Sequence, residues 1–330
     1  MLYLKVLREN AEKRRRELIE KNLLSKEYKV IRKGEYVFFP INKKINGAVE
    51  LRGKKLDKKK TIRDIVGKGK FSSFDIIGEI AVVEIPDELK SKEKEIAKTI
   101  LKNHPHIKTI LRKGSRIKGE YRTREMKYLI GKRTKETVHK ENGCRFKLNV
   151  EDVYYSVRLS GERKRIASLV KPKEKILALF AGVGPFPIVI SKENPSVEII
   201  AIELNPEGVK YMKENIILNK MNNIKAVQGD VNKVIGKYRG WANRVLMPLP
   251  KSSKEFLESA FIGAKNNGII HFYSFVSSKG AFETGKNIVK KEAKRLGYKV
   301  KILNVKKVRD FAPDIVQVVV DFKTVSQKKV

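Results

Sequence analysis

The sequence predicts an α/β protein whose carboxyl-terminal half is a Rossmann-like, mostly parallel sheet with its last strand antiparallel. Three observations predict it. From about residue 170 onwards, short apolar runs alternate with helical stretches, the pattern of a parallel sheet with helices on both faces. The first run, "KILALF", leads through the glycine turn "AGVG" into a helix start, as at the ligand end of such sheets. Only a short connection separates "KVKILNVKKV" from "DIVQVVVDF". It is too short for a crossover, so the final pair is antiparallel.

The elements follow in order. Residues 1–55 read as a small domain: a strand "LYLKVL", a helix over "NAEKRRRELIEKNLL" and a strand "EYVFFPI". Helical spacing turns Ala11, Leu18, Ile19 and Leu23 of that helix inward. Residues 56–69, within and beyond "RGKKLDKKKTIRD", read as a basic linker. Residues 70–150 read as an α+β domain. "FDIIGEIAVVEIP" gives two strands joined at Gly78–Glu79, and Asp87–His104 gives a Glu/Lys-rich helix. The rest of that segment mixes Arg, Lys and Tyr without clean periodicity, a composition suited to gripping phosphates and stacking bases. Residues 151–330 carry the sheet. Its strands are "KILALF", "VEIIAIE", "IKAVQGD", "NRVLMPLP", "GIIHFYSFV" and the final pair, with helices such as "NPEGVKYMKENIILNKM" between them.

Charge narrows the partner. Lys and Arg total 74 against 37 acids, a formal net charge of +37. Thermal adaptation raises Lys and Glu together and does not produce a two-to-one excess. A polyanion, nucleic acid, is the partner that does. No run approaches the roughly 20 apolar residues of a membrane span. The start, "MLYLKVLREN", is charged too early for a secretory signal. With Cys144 as the one cysteine there is neither a disulfide framework nor a thiolate zinc site, and the four histidines form no ligand set. The expectation is a cytoplasmic protein without membrane or metal.

The glycine turn, Phe180-Ala181-Gly182-Val183-Gly184, closes the first strand. Pro187 stands where the dinucleotide fingerprint has its third glycine, and no Gly-Lys-Ser/Thr follows, which argues against NAD and against a P-loop. Glu203 ends the second strand about 20 residues on, where an acid accepts ribose hydroxyls. Asp230 ends the third, at an adenine edge, and "MPLPK" ends the fourth at the substrate rim. Singly, each such acid is more often a helix cap. Together they outline a nucleoside-type pocket without phosphate chemistry, which S-adenosyl-L-methionine fits best.

"FAGVGPF", "AIELNP" and "MPLPK", behind "VYYSVRLSGER" and with "GEYRTRE" and "HKENG" upstream, resemble the archaeal and eukaryotic tRNA (guanine-N1) methyltransferases. These modify the guanosine next to the anticodon. The resemblance implies a class I methyltransferase domain, a middle RNA-binding domain and an amino-terminal domain contacting the tRNA outer corner, in a monomer that also holds the anticodon loop. It places the general base on Glu162, the arginine holding the target base on Arg122, and the tyrosine beside cofactor and substrate on Tyr154. Cofactor contacts fall on Phe180, Ala181, Gly182, Val183, Gly184, Glu203, Leu204, Asn205, Asp230, Val231 and Pro248. RNA contacts fall on Arg124, Arg133, Lys140, Asn142, Arg158 and Arg163. Three positions depart from the family pattern: Ala178 stands in place of an acid, Pro248 in place of an asparagine, and Val157 in place of the proline of Ser-Pro-Arg.

The implied chemistry is coherent. N1 of guanine carries a proton and lacks a free lone pair, so methyl transfer needs a base on N1–H and a cation at O6, the roles of Glu162 and Arg122. Other readings stay open at the level of residues. Glu162 and Arg165 are three apart, the spacing of an ordinary helix-surface pair. Arg122 also suits a phosphate, Tyr154 and Tyr155 suit a strand, and His139 suits a structural role. For function, the alternatives are aminocarboxypropyl transfer in wyosine synthesis, additional methylation of a wyosine precursor (4-demethylwyosine), and a tRNA-binding protein with a decayed cofactor site.

Overall fold

Alternating burial along short strands builds the amino-terminal unit, Met1–Ile65. Strand β1 (Leu2–Leu7), helix α1 (Ala11–Glu20) and strands β2 (Ile31–Lys33), β3 (Tyr36–Pro40) and β4 (Ala48–Glu50) form an antiparallel sheet in the order β2-β3-β1-β4, with α1 packed on it. Leu4, Leu18, Val37, Phe39 and Ile41 make its core. Ile19 departs from the expectation: it is 49% exposed, because the helix ends one residue later and only the Leu18 side meets the sheet. The computed structural model describes residues 1–56, 61–67, 74–115 and 119–327. Parts of the predicted linker therefore lie outside the described residues. Within it α2 (Ile62–Val66) is helical, with Ile65 and Val66 buried.

The second unit, Val66–Val330, begins with a mixed sheet. Strands β5 (Phe74–Ile77) and β6 (Ile80–Val83) turn at Gly78–Glu79 as predicted. The predicted Asp87–His104 helix begins as a 3-10 turn, Asp87–Lys92, and continues as α3 (Glu93–Asn103). That segment is the crossover that lets β7 (Thr109–Lys113) pair parallel to β6, and β8 (Met126–Gly131) closes the order β5-β6-β7-β8. The stretch read as aperiodic folds next into a hairpin of β9 (Glu136–Glu141) and β10 (Cys144–Asn149). Its two-residue turn is Asn142–Gly143, with φ of +47° and +71°, the tight turn for which Asn-Gly is suited.

The carboxyl-terminal elements are α4 (Ser160–Leu169), β11 (Lys175–Leu179), α5 (Pro185–Glu193), β12 (Glu198–Glu203), α6 (Pro206–Leu218), β13 (Ile224–Gln228), α7 (Val231–Val234), β14 (Ala242–Met247), α8 (Leu257–Gly263), β15 (Ala264–Ser277), α9 (Ala281–Arg295), β16 (Tyr298–Ala312) and β17 (Ile315–Gln327). Among the described residues the sheet has seven strands in the order β13-β12-β11-β14-β15-β17-β16. Strands β11 to β15 pair in parallel, and β17 runs antiparallel between β15 and β16, as the sequence predicts. The central strands are apolar runs because both faces are covered. Ile176, Ala178, Leu246 and Val319 pack on one side with α4, α5 and α6. Leu177, Leu179, Val245, Phe272 and Phe322 pack on the other with α8 and α9.

The first of these cores continues into Val82, Leu111, Met126, Phe146 and Leu148, so the mixed sheet and the hairpin share it. Strand β10 is fastened to α6 by side-chain amides. Asn215 accepts from the Lys147 N–H at 2.7 Å and donates to its carbonyl at 3.0 Å. Asn219 does the same at Arg145, at 2.8 and 2.6 Å. No helix among the described residues is long and apolar enough to cross a membrane.

Candidate active site

The carboxyl ends of β11 and β12 meet at the glycine turn. Phe180 adopts φ +56°, a conformation costing on the order of 1–3 kcal/mol for such a residue, with its ring edge-on to Phe256 at 4.7 Å. Gly182 has φ +57°, and a side chain there would aim at the Tyr154 carbonyl 3.7 Å away. Gly184, at φ +86°, caps α5, and a Cβ there would press to 3.0 Å from the Met212 side chain of α6. Two different demands therefore fix the two glycines. Gly182 faces the open side of the turn, whereas Gly184 allows two helices to approach.

Glu203 joins the turn to β12. Its Oε2 accepts from the Gly182 N–H at 2.7 Å and its Oε1 from the Asn205 N–H at 2.9 Å. Burial raises its pKa from the ordinary carboxylate value, against the backbone N–H groups of Asn205, Gly182 and Leu204, which lower it. Asn205 caps α6, its Oδ1 accepting from the Glu207 N–H at 3.0 Å, while its Nδ2 donates to the Asp152 carbonyl at 2.8 Å. Asp230 caps α7 through the Asn232 N–H at 2.9 Å, the commoner role of an acid after a strand.

The segment held by Asn205 leads into Tyr154. Tyr154 and Tyr155 are not in a strand, but they do point oppositely: Tyr154 is exposed and Tyr155 lies under the Arg163 guanidinium at 4.9 Å. Arg122, at φ +56°, places its guanidinium 5.3 Å from the centre of the Tyr154 ring. Burial lowers the Arg122 pKa from its ordinary value. Tyr154 acts in the opposite direction, and the positive charge of Arg309 adds to the lowering.

Glu162 lies in the first turn of α4, 6% exposed. Its Oε1 accepts from the Tyr273 hydroxyl at 2.6 Å and from Arg165 Nη2 at 2.7 Å, and its Oε2 accepts from Arg165 Nε at 2.8 Å. The Glu162–Arg165 pair expected of a helix surface is thus present but buried. Arg165 continues to Asp321 at 2.8 Å, Asp321 to His271 Nδ1 at 2.6 Å, His271 Nε2 to Arg244 at 2.7 Å, and Arg244 to Glu174 at 2.7 Å.

The structure sorts the predicted residues. Arg122, Tyr154, Gly182 and Glu203 converge, with Phe180, Leu204, Asp230 and Pro248 half-exposed at the same strand ends. Ala181, Val183, Gly184, Asn205 and Val231 are buried beneath them, so the Asn205 side chain positions backbone instead of facing a ligand. Ala178 is 1% exposed between Ala201 and Leu246 in the sheet. Arg163 is not an RNA contact: it is 2% exposed and bonds both oxygens of Glu141, at 2.7 and 2.8 Å. Asn142 is half-exposed, and its Nδ2 ties the hairpin turn to Ser160 at the start of α4, at 3.0 Å. Arg133 and Lys140 are exposed, Arg124 is half-exposed, and Arg158 reaches Asp75 at 3.0 Å across the surface. His139 accepts from the Gly78 N–H at 3.1 Å, a structural role. Sequence reasoning missed Tyr273, His271 and Asp321, although polar residues at alternate positions of an otherwise apolar strand were the signal for the first two.

A seven-stranded sheet with one antiparallel insertion, a glycine turn on its first strand and a carboxylate ending the second defines a Rossmann-like methyltransferase. Family profiles agree segment by segment: "TRM5/TYW2 methyltransferase domain" over residues 137–302, "TYW2 N-terminal domain" over 70–134 and "tRNA methyltransferase 5 N-terminal domain" over 4–49. The chain belongs to the TRM5/TYW2 methyltransferase family. It is 38% identical over 318 residues to the tRNA (guanine(37)-N(1))-methyltransferase Trm5b of Pyrococcus abyssi, covering 94% of both chains. A solved complex of aTrm5 with tRNALeu superimposes with a TM-score of 0.80 at 32% identity, over 99% of this chain and 100% of that one. The tRNA(Phe) (4-demethylwyosine(37)-C(7)) aminocarboxypropyltransferase of Methanocaldococcus jannaschii is 37% identical over 248 residues, 75% of this chain and 96% of that protein.

Proposed function

We propose that the protein is a tRNA (guanine(37)-N1)-methyltransferase that takes its methyl group from S-adenosyl-L-methionine. The observation that carries this reading is the convergence of Arg122, Tyr154 and Gly182: the guanidinium lies on the tyrosine ring, and the tyrosine's own carbonyl lies against the glycine turn. It supports reading Arg122 as the cation for a purine O6 next to the strand ends that would hold the cofactor. The residues there fit the cofactor. Gly182, at φ +57°, faces the open side of the turn, the Glu203 carboxylate is preorganised by backbone N–H groups, and no phosphate-binding lysine follows the turn. S-adenosylmethionine, when bound, supplies an electrophilic methyl group.

The chain's own residues supply the rest. A carboxylate has about four acceptor positions, and Tyr273 and Arg165 fill three on Glu162, leaving one on Oε2 for the guanine N1–H. Arg122 stabilises the negative charge that moves to O6 as the proton leaves. The guanosine must be flipped for its Watson–Crick edge to meet Glu162. The +37 charge then serves phosphate binding, with Arg133 and Lys140 among its exposed cations and the amino-terminal unit reaching the tRNA outer corner. On this reading the enzyme acts as a cytoplasmic monomer without a metal.

The test uses labelled S-adenosylmethionine and a tRNA transcript bearing guanosine at position 37. Methyl transfer is expected, and replacing that nucleotide alone by adenosine should abolish it. Equal labelling of both transcripts overturns the reading. Similarity to the aminocarboxypropyltransferase favours a second reaction at the same tRNA position, and product mass separates the two because the aminocarboxypropyl group is far heavier than methyl. A wyosine-precursor tRNA in the same assay tests the additional methylation.

A further inference from the structure

The long β16–β17 hairpin ends in an exposed aromatic residue that the proposed reaction does not use. Phe311 is 53% exposed, yet its ring stacks on Phe275 with centroids 3.9 Å apart. The register of β16 on β17 shifts between Asp310 and Ala312, which leaves Phe311 as an extra, unpaired residue. Bulges of this kind bend a strand and re-aim a side chain. Arg309 stands beside it: its guanidinium lies 5.8 Å from the Phe311 ring, and its Nε donates to the buried Gln317 at 2.8 Å.

Register places this group relative to the site. Phe275 pairs with Gln317, and Gln317 with Arg309, so the three form one row across β15, β17 and β16. Tyr273 lies two residues before Phe275 on β15, on the same face, and its hydroxyl holds Glu162. The aromatic row is therefore about 7 Å further along β15 than Tyr273, the residue that holds the proposed base, toward the carboxyl end of the strand. The Phe275 N–H also bonds the Pro250 carbonyl at 3.3 Å, next to the rim at Met247–Lys251. On the opposite side Arg309 is close enough for its charge to bear on Arg122.

We propose that Phe311, backed by Phe275 and flanked by Arg309, is a stacking platform for the nucleobase that neighbours the target guanosine. An exposed ring presenting one face, with a guanidinium at its edge, recognises an unstacked base of single-stranded RNA. The platform lies one row beyond Tyr273 on β15, a step that suits the base next to the one Glu162 would meet. This inference rests on the reaction proposed above.

The experiment uses the full chain, S-adenosylhomocysteine and tRNA transcripts carrying 2-aminopurine on either side of guanosine 37, compared with methyl transfer to unlabelled tRNA. The wild type should quench 2-aminopurine at one of the two positions. Phe311→Trp should keep the quench. Phe311→Leu, which still covers Phe275, and Phe311→Ala should lose it and lower kcat/KM for tRNA roughly 5- to 100-fold. S-adenosylhomocysteine affinity and melting temperature should not move. A Phe311→Leu variant that matches the wild type in quench and kcat/KM overturns the platform and leaves Phe311 as a lid on Phe275. A Phe311-dependent quench in a wild type that does not methylate N1 keeps the platform and removes the reaction instead.

Discussion

The Tyr273 hydroxyl donates to Glu162 Oε1 at 2.6 Å, and Arg165 grips both oxygens of the same carboxylate. Burial, followed by the charge of Glu162, pushes the Tyr273 pKa well above its ordinary value, so this hydroxyl stays a donor throughout the working pH range. Glu162 is thereby held in one place with one acceptor position left. Replacing it by glutamine keeps shape and removes basicity, and single-turnover methyl transfer should fall by roughly 10²–10⁴-fold with cofactor affinity unchanged. Tyr273→Phe removes only a restraint, and the expected loss in the same assay is about tenfold. Wild-type rates in the glutamine variant would remove Glu162 from the chemistry.

Behind that pair, Asp321 and His271 face each other as register partners on β17 and β15. Arginine only donates, so His271 Nε2 accepts from Arg244, and Nδ1 carries the proton given to Asp321. The ring is therefore neutral in the native protein, and its burial lowers its pKa. In the unfolded chain a histidine takes up a proton below about pH 6.5, which the native state refuses, so stability present above that pH is lost as pH falls through it. Asp321, held well below the usual carboxylate range by His271 and Arg165 despite its burial, adds a second loss below about pH 4. Urea midpoints should therefore decline in two stages between neutral and strongly acidic pH. His271→Gln should shrink the upper stage, leaving the share of His139, whose burial also lowers its pKa, and should leave the lower stage in place.

Arg163 separates affinity for RNA from stability. Its guanidinium is buried against Glu141 and also bonds the Ser156 carbonyl at 2.9 Å. Removing one partner of a buried pair strands the other charge, so Arg163→Ala should lower the unfolding free energy by about 3–5 kcal/mol. It should leave the salt dependence of tRNA binding untouched in the folded fraction. Arg133→Ala and Lys140→Ala should do the reverse, each reducing the log–log salt slope by about 1 with no change in melting.

The sheet was legible in the sequence for a physical reason. Strands covered on both faces are unbroken apolar runs, and the two residues Pro313 and Asp314 between β16 and β17 permit only a hairpin. The glycine turn and Glu203 were legible because strand ends fix where they must sit. Basic residues were harder. The Arg163 and Lys164 letters look alike, but α4 turns one inward to Glu141 and the other to solvent. Asn142 carried a hairpin signal, Asn-Gly, that its basic surroundings concealed. Tyr273 and Asp321 lie 111 and 159 positions beyond Glu162 in the chain, so sheet register, not local spacing, brings them to it, Tyr273 directly and Asp321 through Arg165.

Asn205 tests whether the cofactor turn depends on the segment that crosses it. Its Oδ1 caps α6 and its Nδ2 holds the Asp152 carbonyl, two residues before Tyr154, whose own carbonyl lies against Gly182. Asn205→Asp keeps the capping oxygen and sets a second oxygen against the Asp152 carbonyl. Asn205→Ala loses both contacts. The alanine variant should therefore lose about 1 kcal/mol from the cap, and the aspartate variant should melt lower still, because its carboxylate is buried against the Asp152 carbonyl and beside Glu203. Both should raise the KM for S-adenosylmethionine, by about tenfold, because the Tyr154 segment no longer closes the turn. If the aspartate variant keeps the wild-type KM, Asn205 acts only as a helix cap and the Tyr154 carbonyl is held in place without it.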